Sequence, residues 1–117
     1  MSTSVDMVNH PPHYNHPSGI RCIQVARLCG FNLGNAIKYI WRFGDKNGME
    51  DLKKARWYLN DMVANGMASH LPHKAREVLQ QVVNSETNAV RRTLFGLLIQ
   101  GRIDETVASI TAIAKDK

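Results

Sequence analysis

A short stripe of polar side chains is the part of this sequence best suited to bind a charged ligand. Asn35, Lys38 and Arg42 are separated by three and four residues, and Tyr39 borders them. In a helix this spacing places side chains on one face. Arginine offers a planar fork for two oxygens, lysine a mobile point charge, and asparagine and tyrosine neutral donors. The stripe therefore suits phosphate, although one such helix is also typical of a solvated face.

A second stripe follows at the same spacing. Asp51, Lys54 and Tyr58 are again three and four residues apart, and residues 44–48 before them have turn-forming composition. A turn this short makes the two helices antiparallel neighbours, so the stripes can converge on one cleft. Lys46 in the turn adds a further positive charge. Asp51 would pair with one of the cations, or accept a hydrogen bond from a sugar hydroxyl or a base edge.

Hydrophobic periodicity predicts the elements that position these stripes. Apolar residues recur at helical spacing in stretches at about residues 19–29, 34–43, 49–65, 71–83, 85–100 and 104–115. Ser85 and Asp104 are the expected N-caps of the last two helices. No stretch alternates in the way that a half-buried strand does. The sequence therefore predicts an all-α fold, a small helical bundle of five to six helices.

An extended N-terminal arm precedes the predicted helices. Three prolines and a glycine within residues 1–19 resist helix formation. The chain is long enough to bury a core of its own as one domain. We therefore expect a single domain over residues 1–117, divided into an extended arm at 1–18, a helical core at 19–66 and a helical tail at 67–117.

Several familiar chemistries are disfavoured by motifs that the sequence lacks. It has neither a G-x-x-x-x-G-K-[ST] loop nor a G-x-G-x-x-G turn after a strand. Its carboxylates do not cluster as a helical magnesium site requires. His10, His13 and His16 recur every three residues, but the prolines of the arm prevent a common helical face, so no metal site is expected. His13 and Tyr14 would either reach into the cleft or pack against the core.

Composition bounds the partners and the compartment. The formal charge of +5 favours anionic partners. No apolar run approaches the roughly 20 residues that span a bilayer, and the N-terminus lacks the apolar core of a signal peptide. Cys22 and Cys29 are seven residues apart, about 10 Å along a helix, which is too far for a disulfide. The sequence therefore predicts a cytoplasmic protein with free thiols and no membrane partner.

A specific order of residues also points to a known family. The motif comprises Pro12-His13-Tyr14, Ile20 and Ile23, then Phe31-x-Leu33-Gly34-Asn35-Ala36-Ile37-Lys38-Tyr39-x-x-Arg42-x-Gly44-x-Lys46, and finally Asp51-Leu52-x-Lys54-Ala55-x-x-Tyr58. Over residues 9–60 the chain resembles a family of small phage-encoded nucleotide kinases without a P-loop, which is also described as a phage domain of unknown function. The resemblance implies a phage or prophage origin, and hence the cytoplasm of a host cell.

The resemblance further implies that the polar positions of both stripes and of the arm form a nucleotide site. Lys38, Arg42 and Asp51 would be the catalytic residues. The substrate-binding residues would be His13, Tyr14, Asn35, Tyr39, Lys46, Lys54 and Tyr58. ATP would act as a co-substrate rather than as a tightly bound cofactor, and a requirement for magnesium is left open.

Three functions of different classes fit these residues. The first is phosphoryl transfer from a nucleoside triphosphate to a (deoxy)nucleoside monophosphate, which depends on positioning and charge neutralisation. The second is a non-catalytic nucleotide binder that acts against host defence, as a sponge for a signal nucleotide or as an inhibitor of a host enzyme. The third is nucleic-acid binding, in which basic side chains contact the backbone and rings stack on bases. Its candidates are Lys53, Lys54, Arg56, Arg91, Arg92, Trp41 and Trp57.

The tail is expected to build a homo-oligomer. Its apolar stripes comprise Val90, Leu94, Leu97 and Leu98 on one predicted helix, and Val107, Ile110 and Ile113 on the next. A chain of this size has little interior for so many aliphatic faces. Part of that surface would therefore lie between copies of the chain.

Overall fold

Six α-helices follow one another in the computed structural model, which describes residues 16–43, 48–67 and 70–115. They are α1 (Cys22–Ala26), α2 (Phe31–Arg42), α3 (Met49–Ala64), α4 (His73–Ser85), α5 (Ala89–Ile99) and α6 (Ile103–Ala114). The described ranges contain no strand, and the all-α prediction is confirmed. None of these six helices is both long and apolar enough to cross a membrane. Most of the predicted arm, residues 1–15, lies outside the described residues.

The helices α2 and α3 form an antiparallel pair, as the turn-forming composition of the residues between them predicts. Where α2 ends and α3 begins, Arg42 Nε lies 3.7 Å from Asp51 Oδ2. Where α2 begins and α3 ends, Asn32 Nδ2 donates a hydrogen bond to Asp61 Oδ2 at 3.0 Å. Because both ends are joined, the side chains along the two helices are held in a fixed register.

One face of each helix in this pair is buried. The buried apolar residues of α2 are Leu33, Ala36, Ile37, Ile40 and Trp41, and those of α3 are Leu52, Ala55, Leu59 and Met62. Their spacing of three and four residues is the periodicity that predicted the helices. The apolar pattern therefore sets which faces pack together, and it leaves Lys38, Tyr39 and Lys54 outside the fully buried core.

The first helix of the pair begins earlier than the periodicity predicts. Residues 31–34 are expected to link two helices, but α2 already starts at Phe31, and Gly34 is buried inside it. A Cβ atom at position 34 would lie only 3.0 Å from the carbonyl oxygen of Ala26. Glycine therefore suits this position because the backbone of α1 packs directly on α2, and not because the chain turns.

Other helix ends also differ from the sequence-based expectations. α1 is only five residues long, shorter than predicted. α4 continues through Ser85, so that residue is not an N-cap; Asn88 caps α5 instead, because its Oδ1 accepts a hydrogen bond from the backbone N–H of Arg91 at 2.9 Å. α6 begins at Ile103, which places Asp104 inside the first turn, where its charge still favours the helix dipole.

The tail helices pack against the first half of the chain. α6 lies along α3, α5 contacts α2, and α4 contacts α1. Arg56 Nη1 on α3 donates to Thr111 Oγ1 on α6 at 3.0 Å. Leu94, Leu98 and Ile110 are buried in the chain's own core. The core therefore already covers part of the apolar surface that was predicted to lie between copies of the chain. Homo-oligomerisation stays a prediction.

A buried polar network centred on Glu86 connects distant parts of the chain. Its carboxylate accepts hydrogen bonds from Nε2 of His16 at 3.0 Å, from Nε of Arg91 at 3.0 Å and from the backbone N–H of Asn88 at 2.9 Å. Arg91 also donates to the carbonyl oxygen of Trp41 at 3.2 Å. The network therefore joins the segment before α1, the end of α2 and the turn between α4 and α5.

We predict that Glu86 stabilises the fold in a pH-dependent manner. Burial raises the pKa of its carboxyl, but hydrogen bonds from Asn88, Arg91 and His16 outweigh burial and hold that pKa below its ordinary value of 4.5. A carboxyl with a lowered folded-state pKa stabilises the protein above its unfolded-state pKa, and the contribution is lost as pH falls through the folded-state pKa. Glu86→Gln should lower the free energy of unfolding by about 1–3 kcal/mol at pH 7 and by less in acid, measured by urea denaturation.

Glu77→Gln is the matched control for this experiment. Glu77 pairs with His73 at 3.2 Å on an exposed face of α4, where ion pairs are screened by water. Its substitution should change the free energy of unfolding by less than about 1 kcal/mol. Equal effects of the two substitutions at pH 7, or a Glu86→Gln effect that grows in acid, would contradict the role of Glu86.

The close approach of α1 to α2 gives a second prediction. Gly34→Ala should be less stable than Gly96→Ala by at least about 1 kcal/mol, measured by thermal or chemical denaturation. Both glycines lie within helices, but a Cβ atom at position 96 meets no atom within 4 Å. Alanine at position 96 should therefore show only the gain of about 0.5–1 kcal/mol expected from helix propensity. Equal stabilities would mean that α1 moves aside without cost.

Candidate functional site

Three cationic side chains from the two stripes surround the ring of Tyr39. The distance to the ring centroid is 4.5 Å from Lys38 Nζ, 5.4 Å from Lys54 Nζ and 5.8 Å from Arg42 Cζ. All three charges lie within the roughly 6 Å over which an aromatic face attracts a cation. Since Lys38 and Arg42 belong to α2 and Lys54 to α3, the two stripes meet here. We call these four side chains the cation–tyrosine cluster.

A row of aromatic rings continues from this cluster. Tyr39 stacks on Tyr58 with a centroid distance of 6.0 Å and an interplanar angle of 11°. Tyr58 makes edge contacts with Phe31 at 5.8 Å and with Trp57 at 5.2 Å. Phe31 is 71% exposed and Trp57 61% exposed, which is high for rings of this size. Apolar ring surface and positive charge are therefore presented side by side.

The position of Arg42 in the cluster is set by Asp51. Their side chains form an ion pair in which the arginine is 18% exposed and the aspartate is fully buried. Arg42 lies in the last turn of α2 and Asp51 in the first turn of α3, which are the helix ends where a cation and an anion are favoured. Of the two sequence-based alternatives for Asp51, the structure shows pairing with a cation. The buried carboxylate presents no surface to a ligand in this arrangement.

The structure describes only one of the other four predicted site residues. Asn35 is half-buried, and its Nδ2 donates to the carbonyl oxygen of Phe31 at 2.8 Å, so its amide is used within its own helix. His13, Tyr14 and Lys46 lie outside the described residues. The structure therefore brings together Lys38, Tyr39, Arg42, Asp51, Lys54 and Tyr58.

The two cysteine thiols are not activated nucleophiles. Burial raises the pKa of Cys22 to about 12, against a smaller lowering by the charge of Lys38 and a further rise from Cys29. Burial also raises the pKa of Cys29 to about 11. Both cysteines are free, so both stay protonated near neutral pH and behave as small apolar groups.

The described histidines do not assemble a metal site. His16 contacts Glu86, His73 pairs with Glu77, and His70 packs beside Gly101. Across residues 16–43, 48–67 and 70–115, no group of three or more His, Cys, Asp or Glu side chains is placed to hold a metal ion.

A cavity of about 200 Å³ lies at the far end of the ring row, among the start of α2, the end of α3 and the start of α4. It is lined by Gly30, Phe31, Asn32, Leu33, Met62, Met67, His70 and Pro72. Asn32 is buried there, and its Nδ2 donates to Asp61 Oδ2 at 3.0 Å and contacts Met67 Sδ at 3.3 Å. Because Phe31 belongs to both the cavity and the ring row, the two features are continuous.

Sequence reasoning missed the part of this surface that lies around Phe31. The periodicity assigns Phe31 to a link, whereas it is the first residue of α2. One signal was available: Phe31 precedes Asn35 by four residues, the spacing of the polar stripe itself. The cavity had no such signal, since its lining comes from three separate segments.

The comparison with known families concerns the half of the chain that contains the cluster. Residues 8–60 match the model of a family described as protein of unknown function (DUF3310). The matched segment includes α1, α2 and most of α3, and hence all four residues of the cation–tyrosine cluster, but no part of the tail. No curated protein and no solved structure matches the chain. Because the description of the family names no activity, the kinase activity that the motif implies stays a proposal.

We predict that the ion pair between Arg42 and Asp51 holds the two helices together at the cluster. Asp51→Asn keeps the size of the side chain but leaves the partly buried arginine without its charge partner, which should cost about 3 kcal/mol of unfolding free energy. Glu50→Gln is the matched control, because Glu50 lies in the same first turn of α3 but is exposed. Chemical denaturation should show a far smaller effect for Glu50→Gln; equal losses would assign the effect to the helix dipole alone.

Proposed function

We propose that the chain binds a nucleotide whose phosphates lie in the cation–tyrosine cluster. The observation that supports this most directly is the placement of Lys38, Arg42 and Lys54 within about 6 Å of one tyrosine ring. Two lysines and an arginine provide point charges and a planar fork, the donors best suited to phosphate oxygens. They come from two helices tied at both ends, so the backbone positions that carry them are set before a ligand arrives.

Charge balance supports an anionic ligand. Arg42 has Asp51 as its partner, but among the described residues no carboxylate forms an ion pair with Lys38 or Lys54. Lys54 is exposed and Lys38 is half-buried. Positive charges that lie close together next to aromatic surface repel one another, and a phosphate chain among them relieves that repulsion.

The ring row supports a nucleotide rather than inorganic phosphate as the ligand. Phe31 is exposed and contacts Tyr58, which stacks on the tyrosine of the cluster. Exposed aromatic faces stack on bases with little dependence on which base is present. A molecule that joins a base to phosphates matches both halves of this surface.

Phosphoryl transfer is the second candidate, and the number of cations favours it. In such a reaction the γ-phosphoryl group of a triphosphate passes to a phosphate oxygen of a nucleoside monophosphate, while its bond to the β-phosphate breaks and a nucleoside diphosphate leaves. The protein contributes mainly positioning and neutralisation of charge. Lys38, Arg42 and Lys54 supply three charges from fixed elements. The resemblance of residues 9–60 to small phage-encoded nucleotide kinases implies the same reaction.

We predict that Lys38→Ala and Lys54→Ala each weaken the binding of ATP by about 1.5–3 kcal/mol, the contribution of a charge-assisted hydrogen bond. Calorimetric titration measures this effect. Lys74→Ala is the matched control, because Lys74 is an exposed lysine on α4 that belongs to neither stripe, and its loss should leave the affinity unchanged. Unchanged affinity in both cluster variants would contradict the proposal.

Incubation of the protein with ATP and a panel of deoxynucleoside monophosphates, followed by separation of the products, tests the chemical step. Phosphoryl transfer would be supported if a deoxynucleoside diphosphate forms from the added monophosphate, and if this product is lost in Lys38→Ala and retained in Lys74→Ala. Binding of ATP without any transfer would support the non-catalytic nucleotide binder. Tighter binding of a short single-stranded oligonucleotide than of any mononucleotide would instead favour the nucleic-acid function.

A further inference from the structure

We propose that the cavity beside Phe31 holds the base of the nucleotide, an inference that rests on the function proposed above. Phe31 lines the cavity and contacts Tyr58 at 5.8 Å, and Tyr58 stacks on Tyr39 of the cluster at 6.0 Å. A base in the cavity and phosphates in the cluster therefore lie along one continuous surface of the α2–α3 pair.

The distance between the two ends of this surface selects the class of nucleotide. Phe31 and Lys38 are seven residues apart on α2, about 10 Å along the helix axis. A nucleoside monophosphate brings only one phosphate group towards the lysine end of this surface. A ribose with a chain of two or three phosphates is long enough, so the surface fits a nucleoside diphosphate or triphosphate.

The size and the lining of the cavity suit one planar ring system. Its volume of about 200 Å³ is below the roughly 300–1,000 Å³ of sites that enclose a whole ligand. Met62 and Met67 offer thioethers that pack well against aromatic rings, and the exposed ring of Phe31 can stack. The amide nitrogen of Asn32 is directed to Asp61 and Met67, which leaves its carbonyl oxygen to accept a hydrogen bond from a base N–H.

The tail completes this cavity. Met67, His70 and Pro72 all lie beyond residue 60, where the match to the family ends. His70 is placed beside the turn between α5 and α6, since a Cβ atom at Gly101 would lie 3.6 Å from its ring. Recognition of the base therefore uses both halves of the chain, whereas recognition of the phosphates uses only the first half.

Two exposed aromatic residues allow a matched test in the full chain. Phe31 and Trp57 both contact Tyr58, but Phe31 lines the cavity and Trp57 does not. In calorimetric titrations, Phe31→Ala should weaken the binding of ATP at least about tenfold while leaving the affinity for inorganic tripolyphosphate unchanged. Trp57→Ala should alter both affinities less than about threefold.

Methionine methyl groups report the position of the base without any substitution. In protein carrying ¹³C-methyl methionine, ATP should shift the signals of Met62 and Met67, whereas tripolyphosphate should leave them in place. Met49 begins α3, thirteen residues before Met62, and serves as the reference at the opposite end of the pair. Its signal should not distinguish ATP from tripolyphosphate.

The outcomes separate this inference from the function on which it rests. Two results would overturn the cavity as the base site and leave phosphate binding intact. One is a loss of ATP affinity in Trp57→Ala but not in Phe31→Ala. The other is that the signals of Met62 and Met67 do not respond to ATP. If neither ATP nor tripolyphosphate binds, or if both bind the lysine variants of the cluster as they bind the parent, the proposed function itself fails.

Discussion

The ion pair between Arg42 and Asp51 is the interaction on which the geometry of the site depends. It joins the end of α2 to the start of α3 and places a cation at the end of one helix and an anion at the start of the next, where the helix dipoles favour them. With the Asn32–Asp61 hydrogen bond at the other end of the pair, it keeps the two helices in register. Because a buried charge is costly without its partner, separation of this pair opposes sliding of one helix along the other.

A fixed register converts two separate stripes into one cluster. Lys54 reaches the ring of Tyr39 only because α3 lies alongside α2, and Tyr58 stacks on the same ring for the same reason. The arrangement gathers more positive than negative charge at one place, which opposes folding rather than assisting it. Such local conflict between stability and charge placement is typical of surfaces shaped for a ligand.

The tail contributes structure to the first half in two places. The network around Glu86 links His16 and the end of α2, through Arg91 and the carbonyl oxygen of Trp41, to the turn between α4 and α5. Met67, His70 and Pro72 close one side of the cavity beside Phe31. The segment that matches the family model therefore carries the charged side chains of the cluster, and the segment after it completes the lining of the cavity.

The amino-acid sequence by itself determined the all-α fold, the α2–α3 pair and the stripes that contain Lys38, Arg42 and Lys54. These features follow from helical spacing and a short turn, which are local properties. Only the tertiary structure decided that Gly34 lies inside a helix against Ala26, that Asp51 is buried against Arg42, and that Leu94, Leu98 and Ile110 of the tail are buried in the chain's own core. It also placed Phe31 at a cavity built from three segments. Each of these features depends on contacts between residues far apart in the chain, and local spacing carries no information about which distant surfaces meet.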